Sequence, residues 1–546
     1  MARSVAASGG PPIHNAAHRL DRSAWARPEG ASLVYGRRVW TVAEAAFDTR
    51  RLAQLLARVG VDAGDRVMLV ARNSPYHFLV YIACARLGAI FVPVSHRLTR
   101  VEVQSLVDFS SPRVIIADAE SGSRGAFAST GTVTHFAIDD DPASGTLAMC
   151  TANGYLGLGA AMAAFDGALV TESGGPGSSN RADVLNRRSY PGGSAAIFHT
   201  SGSSFGRPRA VELTHENFWW ASLSFRECFE YSGGDTILVA APLSHVAGFG
   251  GIALDLFVSG GQIVIHRLFE AGHALEAIEQ YGVDIMFGVP TMYTAILASP
   301  EFTRRNLESW RLPLVGGASV SPALLARLEL AGLRAVNVWG TTEMAGAGTY
   351  LPFGAGRPGA VGRPFPYTRV KIVDPASGEE ADAGELLVRG PAVSPGYWHN
   401  EPHNEAAYAQ GWLHTGDLAQ VREGAISITG RLSDRIITGG VGVEPGEVER
   451  VLAAFPGVAE AAVVGLVDET WGEIVVACLV PERGMTQIEL ADVRDFAGQV
   501  LADYKLPRRL VLMDRIPRAD SGEPDRSAVR GLLRQLTGLD TGPAAG

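Results

Sequence analysis

The sequence predicts an α/β protein: a large N-terminal domain with two doubly wound βα sheets and a small β subdomain, then a small α+β C-terminal domain. Three observations predict it. From about residue 40 to 117, and again from Ile237 to Val338, helical patterns alternate with short β-branched runs. Strands separated by helices imply a parallel sheet with helices on its faces. From Val361 to Gly430 the runs shorten and alternate, as in Gly384-Glu385-Leu386-Leu387-Val388-Arg389, and after Arg431 the pattern becomes compact α+β.

In chain order, residues 1–28 read as a disordered leader, because the first twenty are small, polar and Pro-containing with no secretory apolar run. The N-terminal domain is expected over 29–430. Thr41-Val42-Ala43-Glu44 opens a helix, its hydroxyl and carboxylate spaced as a capping box. Val67–Ala71 and Ala89–Val94 are strands. The apolar stretch Phe78–Val94 is interrupted by Arg86 and Gly88, so it reads as a core helix running into a strand and not as a membrane span. Thr171–Ser194, rich in Gly, Ser, Pro and Asn, is a long exposed loop. Ile237–Ala240, Gln262–Ile265, Ile285–Gly288 and Ala335–Val338 are further strands. The C-terminal domain is expected over 436–535, with a frayed tail at 536–546. There is no internal repeat.

The 546 residues are 47% hydrophobic and 19% charged, which suits a large core and two or more domains. The net charge of −10, without a basic run, argues against a nucleic-acid partner. Cys84, Cys150, Cys228 and Cys478 lack metal-ligand spacing and read as buried thiols of a reducing compartment. A cytoplasmic protein without a membrane partner is expected, as a monomer or homodimer.

Two motifs carry chemistry. Phe198-His199-Thr200-Ser201-Gly202-Ser203-Ser204-Phe205-Gly206-Arg207-Pro208-Arg209 follows an apolar run, and its small hydroxyl residues and glycines let N–H and O–H groups converge on phosphate oxygens. Taken alone it is equally a flexible turn, and it lacks the Gly-Lys-Ser/Thr ending of a Walker A loop. Asn337-Val338-Trp339-Gly340-Thr341-Thr342-Glu343 ends a strand, where α/β folds place ligands.

With these motifs in order, and with Gly316-Gly317-Ala318, Thr415-Gly416-Asp417, Gly430-Arg431 and Ile437-Thr438-Gly439-Gly440 beside them, the chain resembles the adenylate-forming superfamily of acyl-CoA synthetases, peptide-synthetase adenylation domains and luciferases. The resemblance covers roughly residues 30 to 530. It implies that Thr200, Ser201 and Gly202 face phosphate, that Trp339 stacks on adenine, and that Asn337 bonds the exocyclic amine. Val338, Gly340 and Thr341 complete that wall. Thr342 would bond the α-phosphate, and Glu343 would reach a magnesium ion if one is bound. Gly316, Gly317 and Ala318 would line the adenine and acyl pockets, Asp417 would bond the ribose hydroxyls, and Arg431 the ribose and phosphate side. His245 and Val246 would stand at the acyl carboxylate, with Ala247, Gly248, Gly250 and Gly251 leaving a roomy pocket.

The resemblance also makes the C-terminal domain mobile, turning about a hinge at 431–435. Gly439 and Gly440 would shape a pantetheine tunnel, and Trp471, Tyr504 and Arg508 would take the CoA nucleotide. The implied ligands are thus CoA and the AMP moiety of an acyl-adenylate.

Four departures fall on the ATP side. Phe205 is inserted in the phosphate loop, Arg209 and Ala210 replace a lysine and a glycine, and Glu523 stands where the family presents the lysine that bridges carboxylate and α-phosphate. Replacing that cation by an anion removes an attraction and adds a repulsion, each on the order of 4 kcal/mol at ~4 Å and an effective dielectric of ~20. Each corresponds to roughly three orders of magnitude in rate. The pattern resembles the non-adenylating acyl-CoA ligase branch of platensimycin- and platencin-type diterpenoid biosynthesis, which receives its acyl-adenylate from a separate adenylating enzyme. Three alternatives stay open: a complete ATP-dependent synthetase in which Lys505, Arg518 or Arg526 supplies the cation, a carrier-protein acyl transferase, and an adenylate-binding protein without catalysis.

Overall fold

The computed structural model describes residues 15–123, 127, 133–138, 153–163, 193–200, 209–318, 320–353, 360–438, 441–468, 471–485, 487–501, 503–519 and 522–537. The expected loop Thr171–Ser194 lies outside these residues except at its last two positions.

The chain is α/β throughout, as the alternating pattern predicts. Thr41 caps the helix Val42–Arg58: its hydroxyl accepts from the Glu44 amide, and the Glu44 carboxylate accepts from the Thr41 amide. The strands Arg66–Ala71 and Ile90–Ser95 lie parallel and in register within an eight-stranded sheet. Between them the helix Tyr76–Leu87 is buried from His77 onward and closes on Gly88, whose φ of 71° turns the chain into the strand.

The leader expectation fails at Ala16–Ala26, which forms a helix packed on the core through Ala16, Ala17 and Leu20. The physical reason is ionic. Arg86, buried in its apolar helix, donates to both oxygens of Asp21 at 2.7 and 2.8 Å, and Arg19 reaches the buried Asp255. A buried guanidinium needs such a partner, and the N-terminal helix supplies it. Among the described residues no helix is long and apolar enough to cross a membrane.

The second βα run forms the parallel strands Gln262–Ile265, Thr236–Val239, Ile285–Gly288, Leu312–Gly316 and Val336–Trp339. Through Thr349–Leu351 and Ala360–Pro364 the same sheet continues into the antiparallel strands Ala425–Arg431, Leu413–Arg422, Ala383–Arg389 and Arg369–Val373. The β subdomain is therefore hydrogen-bonded to the parallel sheet as its extension. This brings Asp417 and Arg431, paired across neighbouring strands, to the end of Val336–Trp339. Beyond the short turn Leu432–Asp434, five strands carry the helices Pro445–Leu452, Leu490–Gly498 and Arg526–Thr537 around a core of their own.

Candidate nucleotide and thiol site

Gly340 leaves the strand Val336–Trp339 in a turn so close that a Cβ there would stand 2.2 Å from the Gly346 carbonyl oxygen. Gly348 passes under the Trp339 ring, where a Cβ would meet it at 2.6 Å. The ring is thereby fixed, and its indole N–H donates to Asp417 Oδ2 at 3.2 Å. Asp417 is 2% exposed, and its other oxygen lies 2.6 Å from Arg431 Nε. Burial pushes the Asp417 carboxyl up to about 6 against the pull of Arg431, with Glu523 and Glu343 adding to the rise. Arg431, half exposed, is held above its usual range by Asp417 first, and then by Glu523, Glu343 and Asp434 against burial. Glu523 and Glu343 therefore act on the same guanidinium as Asp417.

Asn337 donates its amide nitrogen to the Ala360 carbonyl at 3.1 Å, which leaves its oxygen as the atom to accept from an exocyclic amine. The Thr341 hydroxyl is buried without a hydrogen-bond partner among the described residues, and Thr342 opens the short turn Thr342–Met344. Glu343 Oε1 accepts from the Tyr397 hydroxyl at 2.7 Å. Among the described residues no group of three or more His, Cys, Asp or Glu is placed to hold a metal. Glu343 alone suits magnesium only beside the phosphates of a nucleotide, the usual mode for that ion.

Thr200 ends the strand Ser194–Thr200, and Arg209 opens the returning strand Arg209–Thr214. Ser201, Gly202 and Phe205 lie outside the described residues. Gly317 is exposed at a φ of 75°, and Ala318 beside it is half-buried.

Several small residues serve packing and not open space. At Gly316 a Cβ would meet the Val338 carbonyl oxygen at 2.3 Å, so the neighbouring strand demands that glycine. His245 precedes the turn Val246–Phe249 and is half-buried, with Val246 in the core. The expectation of a roomy pocket from the glycines that follow is corrected. Gly248 lies against the Pro242 carbonyl, Gly250 against Val246 and Phe218, and Gly251 against the Phe225 ring.

On the C-terminal domain the strands Ile436–Thr438 and Val441–Val443 pair, and Thr438 also pairs with Gly472, beside Trp471. Gly439 and Gly440 lie outside the described residues. Trp471 is 40% exposed, with the Arg508 guanidinium 3.8 Å from its ring centroid. Tyr504 is 39% exposed on a separate turn, Asp503–Lys505.

Glu523 follows a tight turn. The Ala519 amide donates to the Glu523 carbonyl, the Gly522 amide donates to the Ala519 carbonyl, and Arg518 bridges Pro524. Gly522 faces Thr291 of the large domain, 3.8 Å from where its Cβ would be. The three cations expected as substitutes for a lysine are all paired. Lys505 bonds Glu447 at 2.6 Å, Arg518 bonds Glu460 at 2.7 Å, and Arg526 bonds Glu449 and Asp434 at 2.6 and 3.1 Å.

Sequence reasoning missed Tyr397. Its phenol is pushed far above its usual range by burial and then by Glu343. A tyrosine 54 residues from its carboxylate leaves no spacing signal.

The sequence profile described as AMP-binding enzyme matches residues 20–398, and that of the AMP-binding enzyme C-terminal domain matches 447–523. The chain belongs to the AMP-binding enzyme family. The expected place in the adenylate-forming superfamily, on its acyl-CoA ligase side, holds. Feruloyl-CoA synthase of an Amycolatopsis species is 32% identical over 521 residues, 93% of this chain and 97% of its own. The 3-[(3aS,4S,7aS)-7a-methyl-1,5-dioxo-octahydro-1H-inden-4-yl]propanoyl:CoA ligase of Mycobacterium tuberculosis is 31% identical, over 94% of this chain and 98% of its own. The crystal structure of ATP-bound MatB from Rhodopseudomonas palustris superposes with a TM-score of 0.80 at 25% identity, covering 96% of this chain and 99% of that one. That ATP-bound structure thus shares the architecture described above along almost its whole length.

Proposed function

We propose that this AMP-binding family enzyme is a non-adenylating acyl-CoA ligase. CoA thiolate attacks the carbonyl carbon of a preformed acyl-adenylate, the carbon–oxygen bond to phosphate breaks, and AMP leaves with the bonding electrons. Trp339, Asn337, Asp417 and Arg431 hold the AMP moiety, Thr342 bonds its phosphate, and Gly439 and Gly440 with Trp471 and Arg508 receive the thiol cofactor. A separate adenylating enzyme supplies the substrate, in the cytoplasm.

The observation that carries this reading is the charge at Glu523. It adds a third carboxylate to Asp417 and Glu343 around Arg431, where carboxylate attack on ATP needs a cation. The pairing of Lys505, Arg518 and Arg526 within the C-terminal domain argues against their substituting for it. Compositional drift does not account for it either. Only Lys371 and Lys505 are lysines among 47 basic residues, so lysines elsewhere have given way to arginine, as at Arg209; position 523 carries the opposite sign. The motif departures and the fused-ring acyl group of the Mycobacterium tuberculosis relative favour a polycyclic acid of platensimycin- or platencin-type diterpenoid biosynthesis as the acyl group.

The test is a pair of incubations, one with synthetic acyl-adenylate plus CoA and one with free acid, ATP, magnesium and CoA. Acyl-CoA is expected from the first alone. Acyl-CoA from both would make the chain a complete synthetase, and none from either would make it a binding protein.

A further inference from the structure

The carboxylate of Glu343 is held by residues that no motif of the nucleotide wall contains. The Tyr397 hydroxyl donates to Oε1 at 2.7 Å, and the Ser394 amide donates to the Glu343 carbonyl at 2.6 Å. Tyr397 is itself clamped. Asn404 accepts from its amide at 2.6 Å and donates to its carbonyl at 2.9 Å, and Gly396 crosses the Asn404 amide so closely that a Cβ would meet it at 2.8 Å. The Tyr408 ring packs 6.0 Å from that of Tyr397, and its hydroxyl lies 2.6 Å from Ser394 Oγ. Across the sheet, Tyr397 pairs with Val211, two residues after Arg209, whose guanidinium sits 5.7 Å from the Tyr397 ring centroid. Tyr397 therefore meets both charges, the Arg209 guanidinium at its ring and the Glu343 carboxylate at its hydroxyl.

We propose that Tyr397 is a positioning residue for the nucleotide site: its hydroxyl fixes the Glu343 carboxylate, and its ring keeps Arg209 from closing onto that carboxylate. An arginine and a glutamate in direct contact would neutralise each other and turn both away from the phosphate. An interposed phenol satisfies the anion with a neutral donor and leaves the guanidinium over an aromatic face. Asn404, Gly396 and Ser394 make this geometry rigid, which a side chain oriented through another residue requires. The inference rests on the reading that Glu343 borders the phosphate of the bound nucleotide. It is independent of whether the enzyme adenylates.

AMP binding to the full chain, measured by titration calorimetry, tests it without any turnover, so a failed half-reaction assignment leaves the outcome intact. Tyr397→Phe keeps the ring and is expected to change AMP affinity by about tenfold, the usual effect of losing a hydrogen bond to a charged group. In a Glu343→Gln background the same change is expected to have an effect of about twofold or less, because the two residues act as one. Effects that multiply would overturn the proposal, as would wild-type affinity in Y397F. Tyr397→Ala is expected to weaken binding more than Y397F, and Arg209→Met to remove that difference; equal losses in Y397A and Y397F would sink the spacer role. Should Y397F lose its thermal transition, Asn404→Ala loosens the backbone clamp while keeping the phenol. The same dependence on Glu343 is expected of it, and its absence counts against the proposal equally.

Discussion

On the large-domain side of the site, Trp339, Asp417 and Arg431 bond to one another and Tyr397 holds Glu343. On the C-terminal side, the turn ending at Glu523 brings a carboxylate into the same field, and Arg518 and Arg526 are paired within their own domain. One side is pre-organised, its polar atoms already set before a ligand arrives, and such groups act at little reorganisation cost. The other side presents, in the proposed reading, the charge opposite to the one adenylation needs. In that reading the groups that hold AMP and Glu523 sit on different domains, so one can be altered without the other.

The sharpest way to break this contrast is Glu523→Lys. If charge at position 523 is what separates the two sides, exchange of pyrophosphate into ATP in the presence of free acid rises by about three orders of magnitude from the removed repulsion, and by up to about six where the restored attraction acts in full. Glu523→Gln separates the two contributions, since it removes the repulsion without restoring the attraction. No rise in either variant would move the block to the segment around Phe205 and Arg209, the other departures that the family resemblance implies.

A smaller effect sharpens the C-terminal half of the contrast. Trp471 and Arg508 already stack, at 3.8 Å, before any thiol cofactor arrives. Trp471→Ala is expected to raise KM for CoA about tenfold through the loss of an aromatic face for the CoA adenine, and to leave KM for the acyl-adenylate unchanged. Steady-state kinetics with each substrate varied in turn decides it. A change in the acyl-adenylate KM would place Trp471 outside a separate thiol surface.

The comparison also shows what a sequence can carry. The strands Arg66–Ala71, Ile90–Ser95 and Val336–Trp339 and the capped helix after Thr41 were legible because periodicity and capping are local. So were Trp339, Asp417 and Arg431, which stand in short ordered motifs. The helix Ala16–Ala26 was not, because what orders it is a buried Arg86 whose partner, Asp21, is 65 residues away. Tyr397 escaped for the same reason. The glycines after His245 misled: small residues mark close approach, and only coordinates show whether a ligand or the Phe225 ring makes it.

The smallest predicted effect concerns Asp417, and it splits stability from binding. Burial raises its carboxyl to about 6, above the ordinary carboxylate range, so the folded protein holds a proton there that the unfolded chain releases earlier. A raised group contributes stability that is full below the unfolded value, near pH 4, and is lost as pH rises through about 6. The proposed ribose contact favours the opposite state, since the carboxylate is the stronger acceptor and carries no proton to compete with the hydroxyls. Lowering pH from 8 to 5.5 should therefore stabilise the free enzyme through this residue while weakening nucleoside binding about fourfold, the ratio of ionised fractions for a group titrating near 6. Adenosine is the better probe than AMP, whose phosphate takes a second proton in the same range. Asp417→Asn should remove the pH dependence of adenosine binding and this residue's own share of the pH dependence of stability, while weakening binding at every pH. Glu444, raised to about 7 by burial, keeps its share of the latter. If adenosine affinity in the wild type is flat between pH 8 and 5.5, Asp417 is either ionised throughout or absent from the ribose contact, and the pre-organised side of the site is built on a different acceptor.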